Sequence, residues 1–136
     1  MRHIETGFIK RTTLIVLFCV GLVLAGLVML LPRGFSDDLS LVGTGSGSVV
    51  LVNDKNLVAG QTTMELLNKI RSDYEPSIHF IVVDIATPTG QEFVRIQNAG
   101  VISLSFFGSD GRRVNLLESG VTEQKVRAVL NRMLSN

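Results

Sequence analysis

The sequence predicts a mixed α/β protein in which one N-terminal transmembrane helix precedes a single small domain of alternating strands and helices. Three observations carry this reading. The stretch Thr12 to Leu31, TTLIVLFCVGLVLAGLVMLL, is twenty residues without a charged side chain. At ~1.5 Å rise per residue it reaches roughly 30 Å, the thickness of a bilayer's hydrocarbon core. Two β-branched runs, Val49-Val50-Leu51-Val52 and IHFIVVDI from Ile78 to Ile85, have the continuous apolar character of strands covered on both faces. Between and after them, apolar residues recur at helical spacing behind capping patterns.

The flank over residues 1–11, MRHIETGFIKR, sets Arg2, Lys10 and Arg11 against Glu5. Beyond the apolar run only Arg33 is close, followed by Asp37 and Asp38. This Lys/Arg bias places the N terminus in the cytoplasm and the domain on the periplasmic or other extracytoplasmic side. A cleavable signal peptide would have an apolar region of about 7 to 15 residues ending at small side chains. Here the run over 12–31 is longer and ends Met29-Leu30-Leu31-Pro32-Arg33, and the bulky Phe18 before Cys19 argues against lipoprotein processing. An uncleaved anchor is therefore expected. Gly21, Ala25 and Gly26 would let a second helix approach closely, although Gly and Ala are also simply common in membrane helices. Cys19 is the only cysteine, so no intrachain disulfide can form.

Pro32 and Gly34 stop the helix. The residues that follow, over 32–48, end in Gly43-Thr44-Gly45-Ser46-Gly47-Ser48, the composition of a flexible tether. Phe35, Leu39, Leu41 and Val42 are the exceptions, suited to the membrane interface or to a neighbouring protein. The folded domain is expected over 49–136, a length for one small domain. It carries nine Lys or Arg and nine Asp or Glu. That balance leaves no basic footprint for nucleic acid.

In chain order, a strand over Val49–Val52 leads through NDKNLVAGQ to a capping box, Thr62-Thr63-Met64-Glu65, which predicts a helix start at Thr62. Met64, Leu66, Leu67, Ile70 and Tyr74 supply its apolar side, and Glu75-Pro76 ends it. The strand Ile78–Ile85 follows, with a lone His79 read as structural or surface-lying. Thr89-Gly90-Gln91-Glu92 repeats the capping pattern and predicts a shorter helix that stops at Ala99-Gly100. Ile102 to Phe106 alternates apolar with polar, the period of a strand with one exposed face. Gly108-Ser109-Asp110-Gly111 predicts a hairpin turn and Arg113 to Leu117 the returning strand. The last helix is capped by Thr122 and buries Val126, Val129, Leu130 and Met133, with Lys125, Arg127, Asn131 and Arg132 on its solvated side.

This order, β-α-β-α-β-β-α, resembles the thioredoxin fold over nearly all of residues 49–134. The segment IVVDIATPTGQEFVRIQNAGV looks like the family's second strand and following helix. The run FFGSDGRRVNLLESGVTEQKVRAVLNRML looks like its hairpin, pre-helical glycine and closing helix. The resemblance also implies where the redox apparatus would lie. The C-x-x-C motif falls on Ala59-Gly60-Gln61-Thr62, the buried acid on Asn53, and the cis-proline ahead of the third strand on Ser103 or Ser105. None of these positions carries the family's residue, so thiol redox activity is not expected.

No Ser/His/Asp set, paired carboxylates, metal-ligand spacing or phosphate loop is present, and the methionines and two histidines are too scattered for a copper site. The expectation is a protein that is not an enzyme, binds no cofactor or metal, and docks in the bilayer beside one or more integral membrane subunits as an accessory or assembly factor. The alternative is a membrane-tethered periplasmic chaperone or small-ligand receptor. By resemblance, the docking surface is formed by Leu57, Val58, Ala59, Gly60 and Gln61, by Val101, Ile102 and Ser103, and by Ser119-Gly120. Leu57 and Val58 would be either exposed docking residues or ordinary core beneath the first helix.

Overall fold

The computed structural model describes residues 6–30 and 34–136; Arg2, and the end of the apolar run at Leu31-Pro32-Arg33, lie outside the described residues. The first helix, α1, spans Thr6–Leu30 and starts six residues before the expected Thr12. Nothing in Phe8-Ile9-Lys10-Arg11 opposes helix, and Lys and Arg are good helix formers. Its segment Lys10–Leu30 is exposed throughout and is long and apolar enough to cross a membrane, a property that a signal sequence shares.

A second compact unit begins at Phe35 and runs to Asn136. Its elements are β1 (Gly47–Asn53), α2 (Val58–Ile70), β2 (Ile78–Asp84), α3 (Pro88–Gln97), β3 (Leu104–Phe107), β4 (Arg113–Leu117) and α4 (Glu123–Leu134). The sheet order is β2-β1-β3-β4, with β1 parallel to β2 and antiparallel to β3, and β3 antiparallel to β4. On one face Val49, Leu51, Phe80, Leu104 and Phe106 pack with Leu67 and Ile70 of α2 and with Val126, Val129 and Leu130 of α4. On the other, Val50, Val52, Ile81, Val83 and Phe107 pack with Phe93 of α3, and the Phe93 and Phe107 rings meet edge-on at 6.1 Å.

The segment read as a flexible tether is folded onto this domain from Phe35 onward. Ser36 bridges to Ile81 in parallel register, its carbonyl accepting from the Val82 amide at 2.9 Å. Phe35 packs against the α2/α4 side with the Arg71 guanidinium 4.9 Å from its ring centroid. A short 3₁₀ turn over Leu39–Leu41, capped by Asp38, lays Leu39, Leu41 and Val42 over the α3 side. These apolar residues therefore cover the domain's own core. Gly43 and Gly111 both have positive φ and approach so closely that a Cβ on Gly43 would lie 3.1 Å from the Gly111 Cα. The glycines serve turns and contact here, and the domain starts at residue 35 instead of 49.

Several helix and strand boundaries also differ, β3 among them, which spans Leu104–Phe107 instead of Ile102 to Phe106. α2 starts at Val58, with Leu57 at its N-cap and no side-chain cap; Thr62 and Thr63 lie inside the helix, donating to the Val58 and Ala59 carbonyls. α3 starts at Pro88, because Thr87 accepts from the Gly90 amide and proline suits a first helical turn. It ends at a left-handed Asn98, not at Gly100. β3 is buried on both faces, Ser105 included, so its alternating pattern does not mark an exposed side. On α4, Arg127 and Asn131 are engaged: Arg127 pairs with Glu123 and Asp73, both at 2.9 Å, and Asn131 accepts from the Tyr74 hydroxyl.

Candidate functional site

The carboxyl ends of β1 and β2, the start of α2, the loop before β3 and the loop after β4 converge at one end of the sheet. β1 ends in Asn53, 4 % exposed, whose Oδ1 has no hydrogen-bond partner among the described residues. Asp54 turns the chain by accepting from the Asn56 amide, and α2 follows directly after Leu57. Gly60, in the first turn, sits against Asn53 so tightly that a Cβ there would lie 2.1 Å from Oδ1, 3.0 Å from Ile102 Cδ1 and 3.1 Å from the Asp54 carbonyl oxygen. Only glycine lets α2 approach the strand end this closely.

Above that contact the surface is apolar. Leu57 is 43 % and Val58 76 % exposed. Of the two roles open to them, core beneath the helix is therefore ruled out. Ala59 and Gln61 are also exposed, Gly60 is buried, and Ile102 is half-buried. Ser103 is fully buried, which corrects its expected place on a docking surface. A groove of about 380 Å³ runs between Val58, Ala59 and Thr62 on one side and Ile102, Gly120 and Val121 on the other. Glu118, Val121 and Thr63 join this groove without having been singled out in the sequence; their position next to Ser119-Gly120, or one turn along α2, was the available signal.

At the carboxyl end of β2, Lys55 pairs with Asp84 at 2.8 Å. The hydrogen bond from Lys55, with one from the Ala86 amide, holds the Asp84 carboxyl below its ordinary value. The same bond raises the Lys55 ammonium.

The window Ala59–Thr62 lies within α2 and not ahead of it, so the strand-to-helix loop is Asp54-Lys55-Asn56-Leu57. Neither stretch contains cysteine, and Cys19 lies on α1. No group of three or more His, Cys, Asp or Glu that could hold a metal occurs among the described residues. Gly21, Ala25 and Gly26 lie along α1, where nothing approaches within 4 Å of a Cβ built on either glycine.

No protein-family model and no curated protein matches the chain. Solved structures do match its shape. An uncharacterised thioredoxin-like protein from Clostridium perfringens aligns with a TM-score of 0.65 at 9% identity, covering 73% of this chain and 79% of that one. Thioredoxin O2 from Arabidopsis thaliana in its oxidized state aligns with a TM-score of 0.57 at 16% identity, over 69% of this chain and 84% of that one. A malarial protein aligns with a TM-score of 0.57 at 13% identity, over 65% and 98%. The domain thus has a thioredoxin-like fold, behind one helix long and apolar enough to span a membrane.

Proposed function

We propose that this is a non-catalytic, membrane-anchored thioredoxin-like protein that serves as an accessory or assembly subunit of a membrane complex, docking through the groove at the start of α2. In this reading the N terminus is cytoplasmic and the domain extracytoplasmic. The observation that carries it is the exposure of Leu57 and Val58 at the start of the helix where redox-active members of the fold place their reactive motif. A surface freed from catalysis and from binding would be expected to turn polar, since exposed apolar groups promote unwanted association. Here Val58 lines a groove, Leu57 precedes it at the N-cap, and Gly60 in the same helical turn fits tightly against Asn53.

Purification of the full chain from mild detergent tests the proposal. A stoichiometric integral membrane protein should accompany the native chain and be lost from Leu57→Ser/Val58→Ser, whose unfolding midpoint should barely move because both side chains are exposed. Retention of the partner by that variant at unchanged stability would refute the docking role.

A further inference from the structure

We propose that the Ser103 hydroxyl is the positioning group that holds Ile102 in a left-handed backbone conformation, and that this conformation builds the Ile102 wall of the docking groove. The proposal rests on the docking reading above. Ile102 has φ +60°. For a β-branched residue that is a steric outlier, in a turn position that ordinarily selects glycine. The other positive-φ residue that is not glycine among those described is Asn98, at a helix C-cap where asparagine is tolerated.

The structure supplies what holds Ile102 there. The Ile102 amide donates to the Val52 carbonyl at 2.9 Å, and the Val52 amide donates to the Ser103 carbonyl at 3.0 Å, so the backbone on both sides is pinned to β1. The Ser103 hydroxyl, fully buried, closes the turn by donating to the Gly100 carbonyl at 2.6 Å. The result is a side chain that reaches across to α2: Ile102 Cδ1 lies 3.0 Å from the position a Cβ on Gly60 would take. Ile102 then faces Val58 and Ala59 across the groove. Gly60 makes room, Ser103 fixes the backbone, and Ile102 forms the wall. An unstrained Ile102 would lose that contact, because reversing the sign of φ redirects the side chain.

The test uses the isotope-labelled full chain in detergent micelles. Native Ile102 should show the strong intraresidue amide-to-Hα NOE of a positive φ and an NOE from its δ-methyl to the Gly60 α protons. Ser103→Ala should lose both, and Ser103→Thr should keep both. Ser103→Ala should lower the unfolding midpoint in the native background and leave it unchanged beside Ile102→Gly, where a left-handed φ carries no penalty. Recovery of the membrane partner should fall at least tenfold in Ser103→Ala. The proposal is overturned if Ser103→Ala keeps both NOEs, or if it loses them with partner recovery at the native level while Leu57→Ser/Val58→Ser loses the partner. Should Ser103→Ala fail to fold, folding of Ile102→Gly/Ser103→Ala supports the proposal and its failure to fold overturns it. If Leu57→Ser/Val58→Ser retains the partner while Ser103→Ala still frees Ile102, the docking reading falls and the positioning role of Ser103 stands.

Discussion

Gly60 and Ser105 show how single positions report their surroundings. A methyl group at Gly60 would meet the Asn53 Oδ1 at 2.1 Å and the Asp54 carbonyl oxygen at 3.1 Å, so the buried Asn53 side chain would have to turn aside and the Asp54 backbone to give way. Gly60→Ala should therefore destabilise the protein by about 1–3 kcal/mol, as overpacking does, measured by denaturant unfolding; an unchanged midpoint would mean that α2 does not approach β1 as described. Ser105 is the opposite case. Its hydroxyl is buried and has no partner among the described residues. An unpaired buried polar group costs about 1–3 kcal/mol, so Ser105→Ala should leave stability unchanged or raise it by about 1 kcal/mol. A loss of that size or more would show that the hydroxyl has a bonded partner. The alternation at Ser103 and Ser105 suggested an exposed strand face because serine is usually solvated. What covers that face is α3 together with Leu39, Leu41 and Val42, and no local pattern encodes a covering from elsewhere in the chain.

At the scale of elements, strand and helix types were legible because each has its own hydrophobic period, and their limits were legible where a cap is a side chain. Thr122 caps α4 as its sequence suggests, accepting from the Lys125 amide. α2 has no side-chain cap, so Thr62-x-x-Glu65 offered a false start four residues late, which hid that Ala59 and Gln61 belong to a helix. The α4–α2 seam gives a pH prediction. Glu123 accepts from Lys69 and Arg127, and these bonds hold its carboxyl below the ordinary value. An acid with a lowered folded-state pKa adds stability that is present above its unfolded value, near 4.3, and is lost as pH falls through the folded one. Stability should thus drop on acidification below about pH 4.3, and Glu123→Gln should show a smaller drop across that window in thermal unfolding curves. Equal slopes for the two proteins would remove the seam from the account.

For the whole molecule, the helix long and apolar enough to cross a membrane was the plainest feature of the sequence, since it contains a run of twenty uncharged residues. The stretch over 43–48 has the composition of a tether because glycine and serine look alike whether they loosen a linker or shape turns such as Gly43 against Gly111. Placing Arg2, Lys10 and Arg11 inside and the domain outside predicts that protease added to the outer face of intact cells or spheroplasts removes the domain and spares the N terminus; protection of the domain would reverse the orientation. The docking role is tested most directly by a photo-crosslinking amino acid placed at Val58 in the full chain within its native membrane. The account predicts one discrete adduct with an integral membrane protein from position 58 and none from Ile96 on α3, an apolar side chain that is also exposed. No adduct from position 58, or the same adduct from both positions, would contradict it.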